Sequence, residues 1–116
     1  MNDNGKFIWL DPWYPVEDQV VRDGLERELA LELSPQHVLA GLKFTLIARR
    51  DDCDDALFAL QDGSVAEVHL TWRQKPEPDP RWPVTARFGS IDEWMKLIMI
   101  PLHDSLQMRE PSRDNQ

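Results

Sequence analysis

Apolar and polar positions alternate most regularly over residues 65–72, where Ala66, Val68, Leu70 and Trp72 take every second place. Glu67, His69 and Thr71 stand between them, so a strand here has one apolar face and one polar face. Upstream, residues 56–60 (ALFAL) are apolar throughout, and Asp62-Gly63 separates the two runs. That dipeptide between apolar runs predicts a hairpin with a two-residue turn, laying 57–60 antiparallel to 65–68. Residues 43–50 alternate as well, with Phe44, Leu46 and Ala48 set against Thr45, Ile47 and Arg49. They predict a strand before the hairpin, and Val84, Ala86 and Phe88 predict another after it.

A longer period governs residues 16–33, where Val21, Leu25, Leu29 and Leu33 recur every four, with Val20 beside them. Asp23 with Arg27, and Arg22 with Glu26, fall four apart on the other side, which completes the pattern of a helix. Pro15 suits its first turn, Glu17 and Asp18 suit its positive end, and Ser34-Pro35 stops it. A second helix begins at the capping box Ser90-Ile91-Asp92-Glu93. Ile91, Trp94, Met95, Ile98 and Leu102 share one side of it, whereas Leu97 and Ile100 do not. Pro101 removes a backbone donor, so the helix is expected to kink, or to end near Met99 and restart through His103 and Leu106. Prolines at 76, 78, 80 and 83 make residues 75–83 an extended, polyproline-like loop.

In chain order the elements read α-β-β-β-β-α. They predict one α+β domain over residues 1–108, an antiparallel sheet of three to four strands with two helices packed on one face. Residues 109–116 carry no apolar periodicity and are expected to form a flexible tail.

Composition narrows the functional classes. Thirteen basic against twenty-one acidic residues give a formal charge of −8, which repels nucleic-acid phosphates and anionic membranes. Neither nucleic acid nor membrane is expected as a partner, and a basic protein is favoured. The single Cys53 excludes an intrachain disulfide and fits a reducing compartment. No window approaches the roughly 18 apolar residues of a membrane span. The apolar run at residues 7–10 is too short for a signal-peptide core, so a cytoplasmic location is expected.

Candidate chemistry centres on His69, with Glu67 two residues away on the same face. His37 and Glu77 can be added to His69 to make a zinc-type set of two imidazoles and a carboxylate, though without a recognised ligand spacing. The plainer reading of His69 is a half-exposed strand histidine bonded to a neighbour. The acidic knot at residues 51–55 lacks the glycine and terminal glutamate of an EF-hand and reads as a solvated turn. Its carboxylates disfavour a thiolate at Cys53, which argues against a nucleophile there. No G-x-S-x-G, H-E-x-x-H or glycine-rich phosphate loop is present, and no catalytic residue is assigned. Trp72 and Trp82 flank the proline loop and offer the floor of a ligand or peptide groove. The competing reading places Trp72 and Trp94 in the core and lets Trp82 pin the loop.

The segments VHLTW, EPDPRWP and FGSIDEW together resemble a group of small bacterial proteins of unknown function, over about residues 54–94. The resemblance implies a shared fold and a bacterial origin, and it attaches no activity and no functional residue. The expected function is therefore a small interaction or binding module without catalysis, forming a homodimer through Leu97 and Ile100. Two alternatives stand beside it: a metal-binding protein or metal-dependent enzyme using His37, His69 and Glu77, and an immunity or inhibitor protein masking a basic partner.

Overall fold

The computed structural model describes residues 8–114, with side chains as far as Gln107. Five strands form one sheet: β1 (Trp13–Pro15), β2 (Phe44–Arg50), β3 (Asp55–Leu60), β4 (Val65–His69) and β5 (Thr85–Phe88). They lie in chain order, and every neighbouring pair is antiparallel. Helix α1 (Gln19–Glu32) connects β1 to β2. The C-terminal helix runs without interruption as α2 (Ile91–Trp94), a π-helical segment (Met95–Met99) and α3 (Ile100–Asp114). Among the described residues, no helix is long and apolar enough to cross a membrane.

The α+β class holds, but the sheet has five strands rather than three to four. The additional strand is Trp13-Tyr14-Pro15, which pairs with Arg50, Arg49 and Ala48. Pro15 ends this edge strand, where a missing ladder donor is tolerated. Helix α1 accordingly starts later, capped by Asp18, whose carboxylate accepts from the backbone N–H of Val20 at 2.8 Å. The order is thus β-α-β-β-β-β-α. Of the apolar patch at residues 7–10, Phe7 lies outside the described residues.

The second correction concerns the layers. The helices cover opposite faces of the sheet, not one. Ala56, Phe58 and Leu60 of β3, with Ala66, Val68 and Leu70, pack under Leu25 and Leu29 of α1 and under Leu39. Leu57, Val65 and Ala48 point the other way, against Trp13, Trp94 and Met99. A strand as apolar as β3 is buried on both faces, so the sheet needs two covers.

Two irregularities set the register. The hairpin loop has three residues, Gln61-Asp62-Gly63, rather than two. The N–H of Gly63 donates to the carbonyl of Leu60 at 3.1 Å, and Gly63 takes φ +90°, the left-handed position of a turn-plus-bulge loop. Val65 therefore pairs with Ala59, and the whole ladder moves by one residue from the expected Leu60 partner. In β2 a bulge at Ile47 lets Leu46 face Phe58 while Ala48 faces Leu57. It breaks the alternation read from the sequence, sending Ala48 to the face opposite Leu46.

Pro101 acts through a widened turn rather than a break. The N–H of Ile100 donates to the carbonyl of Met95, one residue further back than in an α-helix, and the helix then continues. The widening lets Met99 join Trp94, Met95, Ile98 and Leu102 on the core side.

Candidate functional site

Helix α1 buries a different stripe from the one its leucines suggest. Leu25 and Leu29 are buried, but so are Glu28 and Glu32, while Val20 and Val21 stay exposed. Positions 25, 28, 29 and 32 form a stripe of helical spacing, and its two glutamates face the chain leaving β4. Glu32, with 0% exposure, accepts from the N–H of Thr71 at 3.0 Å and of Trp72 at 2.7 Å. Glu28 accepts from the N–H of Gln74 at 3.0 Å. The carbonyl of Glu32 takes the N–H of Glu77, also at 3.0 Å. Two residues before Glu28, Glu26 accepts from the N–H of Leu46 beside the β2 bulge at 2.8 Å. The helix supplies acceptors to backbone that no strand satisfies.

These carboxylates hold an unusual conformation. Trp72 and Gln74 adopt φ +59° and +64°, the left-handed region that L side chains rarely enter. Such strain persists only where the surroundings over-determine it, and it concentrates at functional positions. Burial, then the hydrogen bond with Glu32, pushes the Glu28 carboxyl up to about 7. Below about pH 7 a proton on Glu28 can bridge the two carboxyls.

The turn leaves a cleft of about 450 Å³ between α1 and Trp72. Leu25, Val21 and Leu31 supply apolar lining, and Gly24 leaves open space where a side chain would stand. Arg27 and Arg49 bring positive charge, and Trp72, 40% exposed, forms one wall. Arg49 reaches this side because the Ile47 bulge has shifted its parity. Its Nε is buried and has no hydrogen-bond partner among the described residues. Trp72, offered by the sequence either as groove floor or as core, belongs to the cleft. Trp94 is the core tryptophan, fully buried on the other face.

A polar cluster occupies the opposite face at the far end of the hairpin. Asp55 pairs with His69 across β3 and β4, and the His69 Nδ1–H donates to the Asp55 carboxylate at 2.6 Å. Glu67, on the same face, accepts from the Trp94 indole N–H at 2.9 Å. Burial, then contact with the Asp55 carboxyl, pushes Glu67 up to about 7. Burial opposes ionisation of Asp55 too, but hydrogen bonds with Glu67 and His69 outweigh it and hold its carboxyl below the ordinary value. The bend at residues 51–54 folds Cys53 back onto this group. Burial first, and the Asp55 and Asp52 charges after it, raise the Cys53 thiol. Arg50 clamps Asp52 through two bonds of 2.8 and 2.7 Å.

The trio His37, His69 and Glu77 does not assemble. Among the described residues the cluster that converges on His69 is Cys53 and Asp55, and His37 is buried elsewhere. Its Nδ1 accepts from the N–H of Leu39 at 3.0 Å, and its Nε2–H donates to the carbonyl of Pro83 at 2.9 Å. Both ring nitrogens are committed to pinning the residue 34–40 connection against the end of the proline loop. Glu77 instead takes the Thr71 hydroxyl at 2.7 Å and lies 3.8 Å from the Arg73 guanidinium. Trp82 is exposed beside a turn in which its N–H donates to the carbonyl of Asp79 at 3.0 Å. That turn interrupts the extended run expected for residues 75–83. Trp82 is not among the residues lining the cleft. Comparisons of the chain with protein-family models, with curated proteins and with solved structures found no match.

Proposed function

We propose that this chain is a small cytoplasmic binding module, without catalysis, whose ligand occupies the cleft between α1 and the Trp72 turn. The observation that carries this reading is the strained backbone at Trp72 and Gln74, held in place by two buried glutamates of α1. A preformed apolar cleft with a few placed polar groups is the usual form of a ligand site. The acid in the lining, Glu28, is already engaged by the Gln74 N–H and by Glu32, which favours binding over chemistry. Arg27 supplies one guanidinium and Arg49, which lies 4.0 Å from the Asp54 carboxylate but keeps its Nε unsatisfied, supplies another donor for a carboxylate, and the Trp72 ring and the leucines suit an apolar body. The ligand class is a small apolar carboxylic acid.

The test is a ¹H–¹⁵N NMR titration with phenylacetate, using benzyl alcohol as the uncharged control. Phenylacetate should shift the Trp72 indole and the Gln74 amide, and Arg49→Ala should abolish those shifts. Equal responses to both probes, or shifts elsewhere only, would sink the carboxylate site.

Self-association through the C-terminal helix is a weaker part of the same reading. Leu97 is 57% exposed, but Ile100 is half-buried, and Trp9, Leu10 and Trp13 of the same chain already cover the apolar side. Burying one leucine per copy contributes only about 1.5–3 kcal/mol each, little against the cost of association. A dimer through this face is therefore expected only at very high concentration. The charge of −8 also suits a basic protein partner.

A further inference from the structure

We propose that Cys53, Asp55 and His69 form a site for a divalent transition-metal ion of the zinc type. One donor atom from each, the thiol sulfur, a carboxylate oxygen and a ring nitrogen, lies within 4.8 Å of the others. Thiolate, imidazole and carboxylate are the three ligand types zinc prefers. Around a tetrahedral ion at ordinary bond lengths, such atoms stand roughly 3.3–3.8 Å apart. Asp55 and His69 already touch at 2.6 Å through a shared proton, so that hydrogen bond opens as the ion takes its place, while the sulfur closes in from within 4.8 Å.

The fold supplies the convergence. Asp55 opens β3 and His69 closes β4, and their register places the two side chains side by side. Cys53 approaches from the bend before β3, where a rotation about its side chain moves the sulfur without disturbing the ladder. The His69 side chain is 49% exposed and that of Asp55 17%, so an ion enters from solvent and meets a partly buried carboxylate. Glu67, touching Asp55 and held by Trp94, adds a second carboxyl behind the first. This is the relation of an outer hydrogen-bonding group to a metal ligand. On binding, Cys53 enters as thiolate and its proton passes to solvent, while neutral His69 moves its ring proton from Nδ1 to Nε2 so that Nδ1 can take the ion. The bound ion ties the 51–54 bend to both strands of the hairpin, with a remaining position open to water.

Cobalt(II) is the first probe, added to untagged wild-type protein and followed by absorption. A thiolate-to-cobalt charge-transfer band saturating at one equivalent, and displaced by zinc, is the expected result. Cys53→Ser should remove the band. His69→Ala and Asp55→Asn should each weaken zinc binding, measured by calorimetry, by about tenfold or more. Circular dichroism on each variant shows that it remains folded. Absence of the band in the wild-type protein overturns the site without reference to any variant. Zinc affinity equal in wild type, Cys53→Ser and His69→Ala overturns it as well, since the ion would then sit on surface carboxylates.

Discussion

The two faces of this sheet are covered by helices that work in different ways. On one face the C-terminal helix brings Trp94, fully buried, edge-on to Trp13 with ring centroids 4.9 Å apart, and Trp9 packs at 6.0 Å. The cover there is aromatic and its stabilisation comes from area removed from water. On the other face α1 covers the strands with Leu25 and Leu29, but it also buries two glutamates to accept backbone N–H groups. The first face ends in a packed aromatic core, the second in a cleft beside a strained turn. A carboxylate buried against irregular backbone buys geometry rather than stability, and the cleft is what that geometry produces.

The largest effect should come from the aromatic face. Trp94→Ala removes the central ring and leaves the Glu67 carboxyl without its indole donor. A loss of about 3–5 kcal/mol is expected, measured by urea denaturation. If the loss were under about 1 kcal/mol, the claim that this face is held by packing would fail.

Next comes Glu32→Ala, which orphans the N–H groups of Thr71 and Trp72. The expected cost is roughly 2–4 kcal/mol, with hydrogen exchange accelerated at those amides before any global opening. Exchange that rises uniformly over the molecule would show that the glutamate supports the whole fold, not the turn.

A smaller, pH-dependent effect belongs to Glu28. The folded state keeps its proton up to about pH 7, whereas the ordinary value is 4.5. Folded protein thus binds more protons in this window, so stability is fully present below 4.5 and falls as pH rises through about 7. Glu28→Gln retains an acceptor for Gln74 and a donor for Glu32 without titrating. The variant should match wild type near pH 4.5 and exceed it above pH 7, by roughly 1–3 kcal/mol. Thermal melts across that range check the sign, and a difference that does not change with pH would remove Glu28 as the source.

The smallest effect is expected at Leu97→Glu. Stability should change by no more than about 0.5 kcal/mol, because the side chain stands in water. Light scattering should show a monomer for wild type and variant alike at micromolar concentration. A wild-type dimer dissolved by this substitution would restore the helix as an interface.

Much of the hydrophobic framework was legible in the residues. Period two marked β4 and placed Glu67 with His69, and the Ser90 cap marks the start of α2, with Ser90 Oγ accepting from the N–H of Glu93 at 3.1 Å. The set Ile91, Trp94, Met95, Ile98 and Leu102 does share the core side of the last helix. The candidate site was legible only in halves. His69 and Glu67 were visible as a pair, but Asp55 joins them because the hairpin loop is one residue longer than the dipeptide implies. Trp72 was visible as an aromatic beside a loop. Nothing nearby in the chain announces that Glu28 and Glu32, some forty residues earlier, will hold its backbone.

Periodicity along one segment reports which of its residues share a side, since that follows from local backbone geometry alone. On its own the sequence therefore determined the α+β class, the hairpin, the two helices and the core side of the second one. It has no term for which other segment meets that side. The opposite placement of the two helices was decided in three dimensions, where a doubly apolar β3 needed covering twice. So were the parity change at Ile47, the burial of Glu28 and Glu32, and the meeting of Cys53, Asp55 and His69. Each answers a demand that exists only once the backbone is assembled: an N–H with no ladder partner, a face with no cover, a side chain with a neighbour from another strand.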